Sequence, residues 1–115
     1  MREALSFDDV LLEPRFSSIA SRSEVDISVS FGNVGYLDLP VISAPMDTVT
    51  GPEMAIELYR YGALGILHRY NSIAEQVEMA VEVSNEGAIY GAAIGATGDF
   101  FERATALVRT AGAPI

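Results

Sequence analysis

Three times after Pro40 the chain repeats one plan: a short apolar run, a loop, a helix-capping sequence and a helix with one apolar face. The first unit passes from an apolar run at 41–44 through Thr50, Gly51, Pro52 and Glu53, which read as a capping box with proline in the first turn. Its helix presents Met54, Leu58 and Tyr61 and stops at Gly62. The second unit has a strand at 64–68 and a capping box from Ser72 to Glu75. Its helix turns Ile73, Val77, Ala80 and Val81 to one face, with Glu75, Glu78 and Glu82 toward water. The third unit has a glycine-punctuated strand at 88–94, a cap from Asp99 to Glu102, and a helix carrying Phe100, Ala104, Leu107 and Val108 to a stop at Ala111 and Gly112.

Consecutive βα units with short loops imply parallel strands joined by right-handed crossovers, so the expected class is α/β. Two designs close such units, a doubly wound sheet or a (β/α)8 barrel, and a barrel needs ~250 residues. Three units are then less than half of a barrel, and Pro114 and Ile115 read as the start of a fourth strand. Three parallel strands alone leave sheet edges unpaired. Before the units, residues 24–31 alternate strictly, with Val25, Ile27, Val29 and Phe31 on one face, as a half-buried strand does. Gly32 and Asn33 offer a turn and 34–37 a return strand. Residues 1–23 show no sustained period and read as an arm, so the single domain divides into an arm (1–23), a hairpin (24–38) and three βα units (39–115).

Composition narrows the chemistry. With no cysteine and a lone His68, the chain has no thiolate site, no thiol nucleophile and no metal cage of its own. A formal charge of −9, with seven scattered arginines and no lysine, argues against nucleic acid, although a single phosphate can be held by helix N-termini and one or two arginines. The absence of lysine has no explanation in the sequence. No run reaches the ~18 to 20 apolar residues of a membrane span, and no signal peptide precedes the acidic start, so the expectation is a cytoplasmic protein.

Parallel α/β folds work at the carboxyl ends of their strands. There the first unit delivers Ser43, Ala44, Pro45, Met46 and Asp47, the second His68 and Arg69, and the third the loop from Gly95 to Asp99. A hydroxyl, a flexible thioether, a carboxylate, a basic pair and a glycine-lined gap suit a polar small molecule. Each also has a plainer reading: Met46 as a gap filler, Asp47 as an Asx-turn, His68 as a structural histidine, Arg69 and the Ser21–Arg22 pair as solvated surface. The glycines of YGAAIGATGD lack both the P-loop lysine and the dinucleotide spacing.

The stretch LPVISAPMDTVTGPEMAIELYRYGALGILHRYNSIAEQ resembles the IMP dehydrogenase and GMP reductase family, as do LSFDDVLLEP before it and GAAIGATGDFFERATALVRTAGAPI after it. The resemblance spans essentially the whole chain. It implies the N-terminal part of a (β/α)8 TIM barrel, a tetramer when complete, binding a purine 5′-monophosphate (GMP or IMP) across its strand ends and exchanging hydride with a nicotinamide cofactor. It places Ser43, Met46 and Asp47 at the substrate, and Ser21, Arg22 and Arg69 at the cofactor. No catalytic residue and no metal ligand is assigned within the chain, because the family's nucleophile is a cysteine on a later loop; a monovalent cation belongs, if anywhere, to the complete protein.

The family's dehydrogenases usually carry regulatory Bateman modules after the second helix, and here that helix passes straight toward the third strand. Together with SRSEVD, which resembles an NADPH-contacting motif, this favours GMP reductase, converting GMP and NADPH to IMP and ammonia. SAPMDTVT and GAAIGA read more like IMP dehydrogenase, oxidising IMP to XMP with NAD, which is the alternative. A further alternative is a noncatalytic fragment or partner subunit of a full-length relative. By itself the chain is expected to be inactive.

Overall fold

The computed structural model describes residues 4–32 and 35–112. Asn33 and Val34 of the expected turn and return strand, and the expected fourth-strand start at Pro114 and Ile115, lie outside the described residues. Within them run, in order, two single 3-10 turns at Phe7–Asp9 and Arg22–Glu24, strands β1 (Val29–Ser30) and β2 (Tyr36–Leu37), helix α1 (Pro52–Arg60), strand β3 (Gly65–Leu67), helix α2 (Ile73–Asn85), strand β4 (Tyr90–Ala92) and helix α3 (Phe100–Ala111).

The three units form as expected, and their strands are parallel. β3 pairs with β4 from Gly65↔Tyr90 to Leu67↔Ala92. On the other edge of β3, Ile42 bridges Leu64, and the first strand amounts to that bridge, held by Ser43 N–H to the Leu64 carbonyl and Leu64 N–H to the Val41 carbonyl, both at 3.0 Å. The result is an open parallel strip backed by three helices: a mixed α/β arrangement, with no closed barrel among the described residues.

Each helix buries the residue one turn after its N-cap. Ala55, Gln76 and Arg103 donate their backbone N–H to the cap carbonyls of Gly51, Ser72 and Asp99, and all three side chains are buried. The expected α2 face holds, with Ala80 buried and Val77 and Val81 packed against the core, but the expected faces of α1 and α3 are corrected in part. In α1 the inward residue is Ala55, while Met54 and Tyr61 stand in solvent. In α3 the inward row is Arg103, Leu107 and Ala111, and Phe100 and Val108 are exposed. A run of apolar residues three and four apart defined a stripe, but the short approach to the sheet selected small or network-forming side chains instead. Ala55 shows why: a Cβ on Gly65 would lie 2.5 Å from the Ala55 Cα, so helix and strand touch backbone to backbone. In α2, Ala80 and Val83 join Gln76 on the inner face.

The core gathers Leu67, Ala80, Val83, Ala88, Tyr90, Leu107 and Ala111 with Ala55. Burial of a leucine- or valine-sized side chain stabilises by roughly 1.5–3 kcal/mol, which makes this cluster the main source of cohesion. At its base the Ser84 and Tyr90 hydroxyls lie 2.7 and 3.1 Å from the Ala111 carbonyl, tying the end of α2 to the end of α3. Gly112, with φ +62, then ends α3 in the left-handed conformation.

The hairpin is present but shorter than expected. Only Val29↔Leu37 and Ser30↔Tyr36 pair, and Val25, Ile27 and Val29 are all more than 40% exposed, so the alternating face is not half-buried. Among the described residues only Phe31 of that face is partly buried, and alternation alone cannot bury the rest. β2 is held better: Leu37 is buried, Leu39 N–H bonds the Gly62 carbonyl at 3.0 Å, and the absent Cβ of Gly62 leaves room for Asp38. The radius of gyration is 17.7 Å, against about 13 Å for a compact chain of this length.

Candidate functional site

The site is built where the three parallel strands release their chains. After the first strand, residues 44–50 form a closed loop. Met46 N–H bonds the Ala44 carbonyl at 2.9 Å, and the Met46 carbonyl accepts from Val49 and Thr50 N–H at 3.0 and 2.9 Å. Thr50, expected to cap α1, instead turns its hydroxyl to the Ala44 carbonyl at 2.6 Å and is fully buried. The cap position belongs to Gly51, which has no side chain to offer. Thr50 therefore closes the loop rather than starting the helix.

This closure settles the loop's side chains. Ser43 Oγ accepts the N–H of Ile66 at 2.9 Å, so the hydroxyl joins the first strand to β3. Met46 is half-exposed and not a core residue. Asp47 uses Oδ1 on the N–H of Thr48 at 2.9 Å, a local turn contact, and is otherwise exposed.

After β3, His68 Nδ1 accepts from the Tyr70 N–H at 3.2 Å. That contact is structural. Arg69 is exposed, with its guanidinium carbon 5.8 Å from the Tyr70 ring centre. A Cβ on Gly95 would meet Arg69 Nη1 at 3.5 Å, which places the cation over the glycine-lined loop of the third unit.

Beneath these loops lies a polar network that the sequence did not disclose. The Gln76 amide donates to two carbonyls, His68 at the end of β3 and Ala93 at the end of β4, both at 2.9 Å. Its oxygen accepts from Arg103 Nη1 at 2.9 Å. Arg103 also donates to the Asn71 carbonyl at 3.0 Å and to Asp99 Oδ2 at 2.7 and 3.2 Å. The Arg103 hydrogen bonds hold the Asp99 carboxyl below its ordinary value, against some burial, with Arg69 adding to the effect through its charge. The one available signal was the shared position of Ala55, Gln76 and Arg103, four residues after each cap.

Ser43, Met46, Asp47 and Arg69 thus share one end of the strip, and Ser21 and Arg22 do not join them. Those two sit in the exposed arm, where Ser21 Oγ accepts the Ser23 N–H at 3.3 Å and lies 2.8 Å from the Ser23 hydroxyl. A cleft of about 630 Å³ opens between the first loop, α1 and α2. Asp47, Glu53, Glu57 and Glu82 line it, and four carboxylates repel a phosphate. Among the described residues no cluster of His, Asp and Glu could hold a metal ion, and no helix is long and apolar enough to cross a membrane.

A family profile described as "IMP dehydrogenase / GMP reductase domain" matches residues 4–113. Inosine-5'-monophosphate dehydrogenase of Nitrosopumilus maritimus is 41% identical over 88 residues, 76% of this chain and 18% of that protein. The proteins of the same name from Rhodopirellula baltica and Bacillus subtilis are 48% and 49% identical over 79 and 82 residues, covering 69% and 71% of this chain and 14% and 17% of theirs. The chain spans less than a fifth of each of these relatives.

Proposed function

The chain belongs to the IMP dehydrogenase / GMP reductase family, and on that premise we propose that it forms the opening βα units of a (β/α)8 barrel enzyme that oxidises IMP to XMP with NAD. The observation that carries this reading is the identity of 41%, 48% and 49% to relatives bearing the dehydrogenase name. It turns the branch away from GMP reductase, which the arm motif and the direct link between second helix and third strand had favoured.

In this reading the purine 5′-monophosphate lies across the strand ends. The half-exposed thioether of Met46 is a polarizable surface for the flat base, and Asp47 retains a carboxylate oxygen to accept from a ribose hydroxyl. Ser43 contributes by fixing the floor against β3. Arg69, over the Gly95 loop, supplies a permanent cation toward the cofactor, and Ser21 with Arg22 extends the arm to a dinucleotide on a neighbouring subunit of a homo-oligomer. The chain holds no cysteine, so the nucleophile that adds to purine C2 before hydride passes to nicotinamide comes from another part of the complete protein.

Incubating the complete protein with IMP and NAD should produce NADH and XMP. A second reading, GMP reductase, keeps one observation in its favour: only residues 86–89 separate α2 from β4, leaving no inserted module. Ammonia release from GMP with consumption of NADPH, and no turnover of IMP with NAD, would move the assignment to that reading.

A further inference from the structure

Two of the most thoroughly buried polar side chains, Gln76 at 0% and Arg103 at 6% exposure, sit directly under the loops that carry the site. An apolar pair of similar volume would fill this space at least as stably, since burying an arginine costs desolvation that its partners must offset. The hydrogen-bond pattern shows what the polar pair does instead. Both amide hydrogens of Gln76 are committed to carbonyls of different strands, at the residues where β3 and β4 leave their ladder. A single planar amide therefore sets the separation of those two strand ends. Arg103 holds the amide oxygen, and its remaining donors reach forward to Asn71 in one loop and Asp99 at the foot of the other. Every group of Gln76 is satisfied, and the guanidinium charge meets a carboxylate 2.7 Å away.

We infer that Gln76 and Arg103 are positioning residues for the strand-end site: together they fix the 68–71 loop relative to the 93–99 loop, and so hold Arg69 over the glycines of the third unit. The inference rests on the proposed purine nucleotide oxidoreductase reading for the identity of the ligand. Its geometric content does not.

The experiment compares Gln76→Met and Arg103→Lys with the unmodified complete protein. Gln76→Met removes both donors while keeping volume; Arg103→Lys keeps the charge and can still reach Asp99 but cannot span all three partners. Hydrogen exchange in 68–71 and 93–99 should speed by about tenfold or more in Gln76→Met, with the core of β3 and β4 still protected. KM for IMP or NAD should rise on the order of tenfold while kcat changes less, because a misplaced loop weakens binding geometry. Arg103→Lys should show the same pattern, smaller, and keeps the test available if Gln76→Met does not fold. Exchange and KM staying within about twofold in a variant whose melting temperature falls would overturn the inference, since that is the mark of a purely structural contact. If the unmodified protein leaves IMP and NAD untouched, the functional reading fails, and the exchange comparison alone decides the positioning role.

Discussion

Residues 4–31 and 41–112 are both rich in apolar side chains, and both contain stretches with a clear period. In the second region Leu64, Leu67, Val83 and Tyr90 are at most 1% exposed, because each strand is followed by a helix that returns over it. In the first, Phe7, Leu11, Leu12 and Phe16 are at least 95% exposed. Among the described residues, the hydrogen bonds of 4–31 reach no further than the β2 strand of the hairpin. The difference lies in partnership rather than composition: a periodic face is buried only if the chain also supplies the layer that covers it.

The strongest way to break this contrast is to open the body. Leu67→Ala removes a fully buried side chain from the last residue of β3 and should cost about 2–5 kcal/mol in urea denaturation of the complete protein. A loss under about 1 kcal/mol would mean that the core is not the cohesive element. Next comes Gly65→Ala, whose Cβ would stand 2.5 Å from the backbone of Ala55. Helix α1 must lift to admit it, at roughly 1–3 kcal/mol. Ser72→Ala is smaller. Ser72 and Glu75 exchange bonds at both backbone positions of the box, and losing the cap should cost about 1 kcal/mol.

Those same sites show how far the sequence could be read. The capping box of α2 and the alternation of strand and helix were legible because both depend on residues a few positions apart. Parallel pairing followed from the short connections. The helix faces were less legible: Met54 and Phe100 fit an apolar stripe as well as their neighbours do, and only the distance to the sheet selected Ala55 and Arg103. Thr50 was read as a cap because Thr-Gly-Pro-Glu has the right spacing, whereas its hydroxyl was needed six residues back at Ala44. Of the site, Ser43, Met46, Asp47 and Arg69 could be placed at the strand ends from order alone. Gln76 could not, since its partners His68 and Ala93 lie 8 and 17 residues away and are backbone carbonyls, which leave no trace in side-chain pattern.

Acid should sharpen the comparison by a smaller margin. Asp99 is held below its ordinary value of 3.8 chiefly by Arg103, with Arg69 contributing, and Glu75 below 4.5 chiefly by the Ser72 hydroxyl. Because both carboxyls are depressed in the folded body, their contribution is fully present above the unfolded values and is lost as pH falls through the folded ones. The melting temperature of the body should therefore decline as pH drops below about 4.5. Asp9 and Asp26 are depressed too, through the backbone N–H groups of Ser6 and Ser28, but these close local turns in the arm and in the exposed hairpin, outside the body. Asp99→Asn should flatten the decline, and Asp26→Asn should leave it in place.

The least change in stability is expected from the arm itself, and there the two regions part most clearly. Leu11→Ser and Leu12→Ser alter side chains that are 98% exposed, so denaturation of the body should move by no more than about 0.5 kcal/mol. Arg22→Ala should be equally silent in stability. If the arm serves the cofactor, the same substitution should raise KM for the dinucleotide by about tenfold, the loss of one charge-assisted hydrogen bond, while KM for the nucleotide stays put. A residue that leaves folding untouched yet shifts one KM acts through a ligand. An unchanged cofactor KM would return Arg22 to the solvated surface and leave the arm as an apolar segment whose covering layer is still to be found.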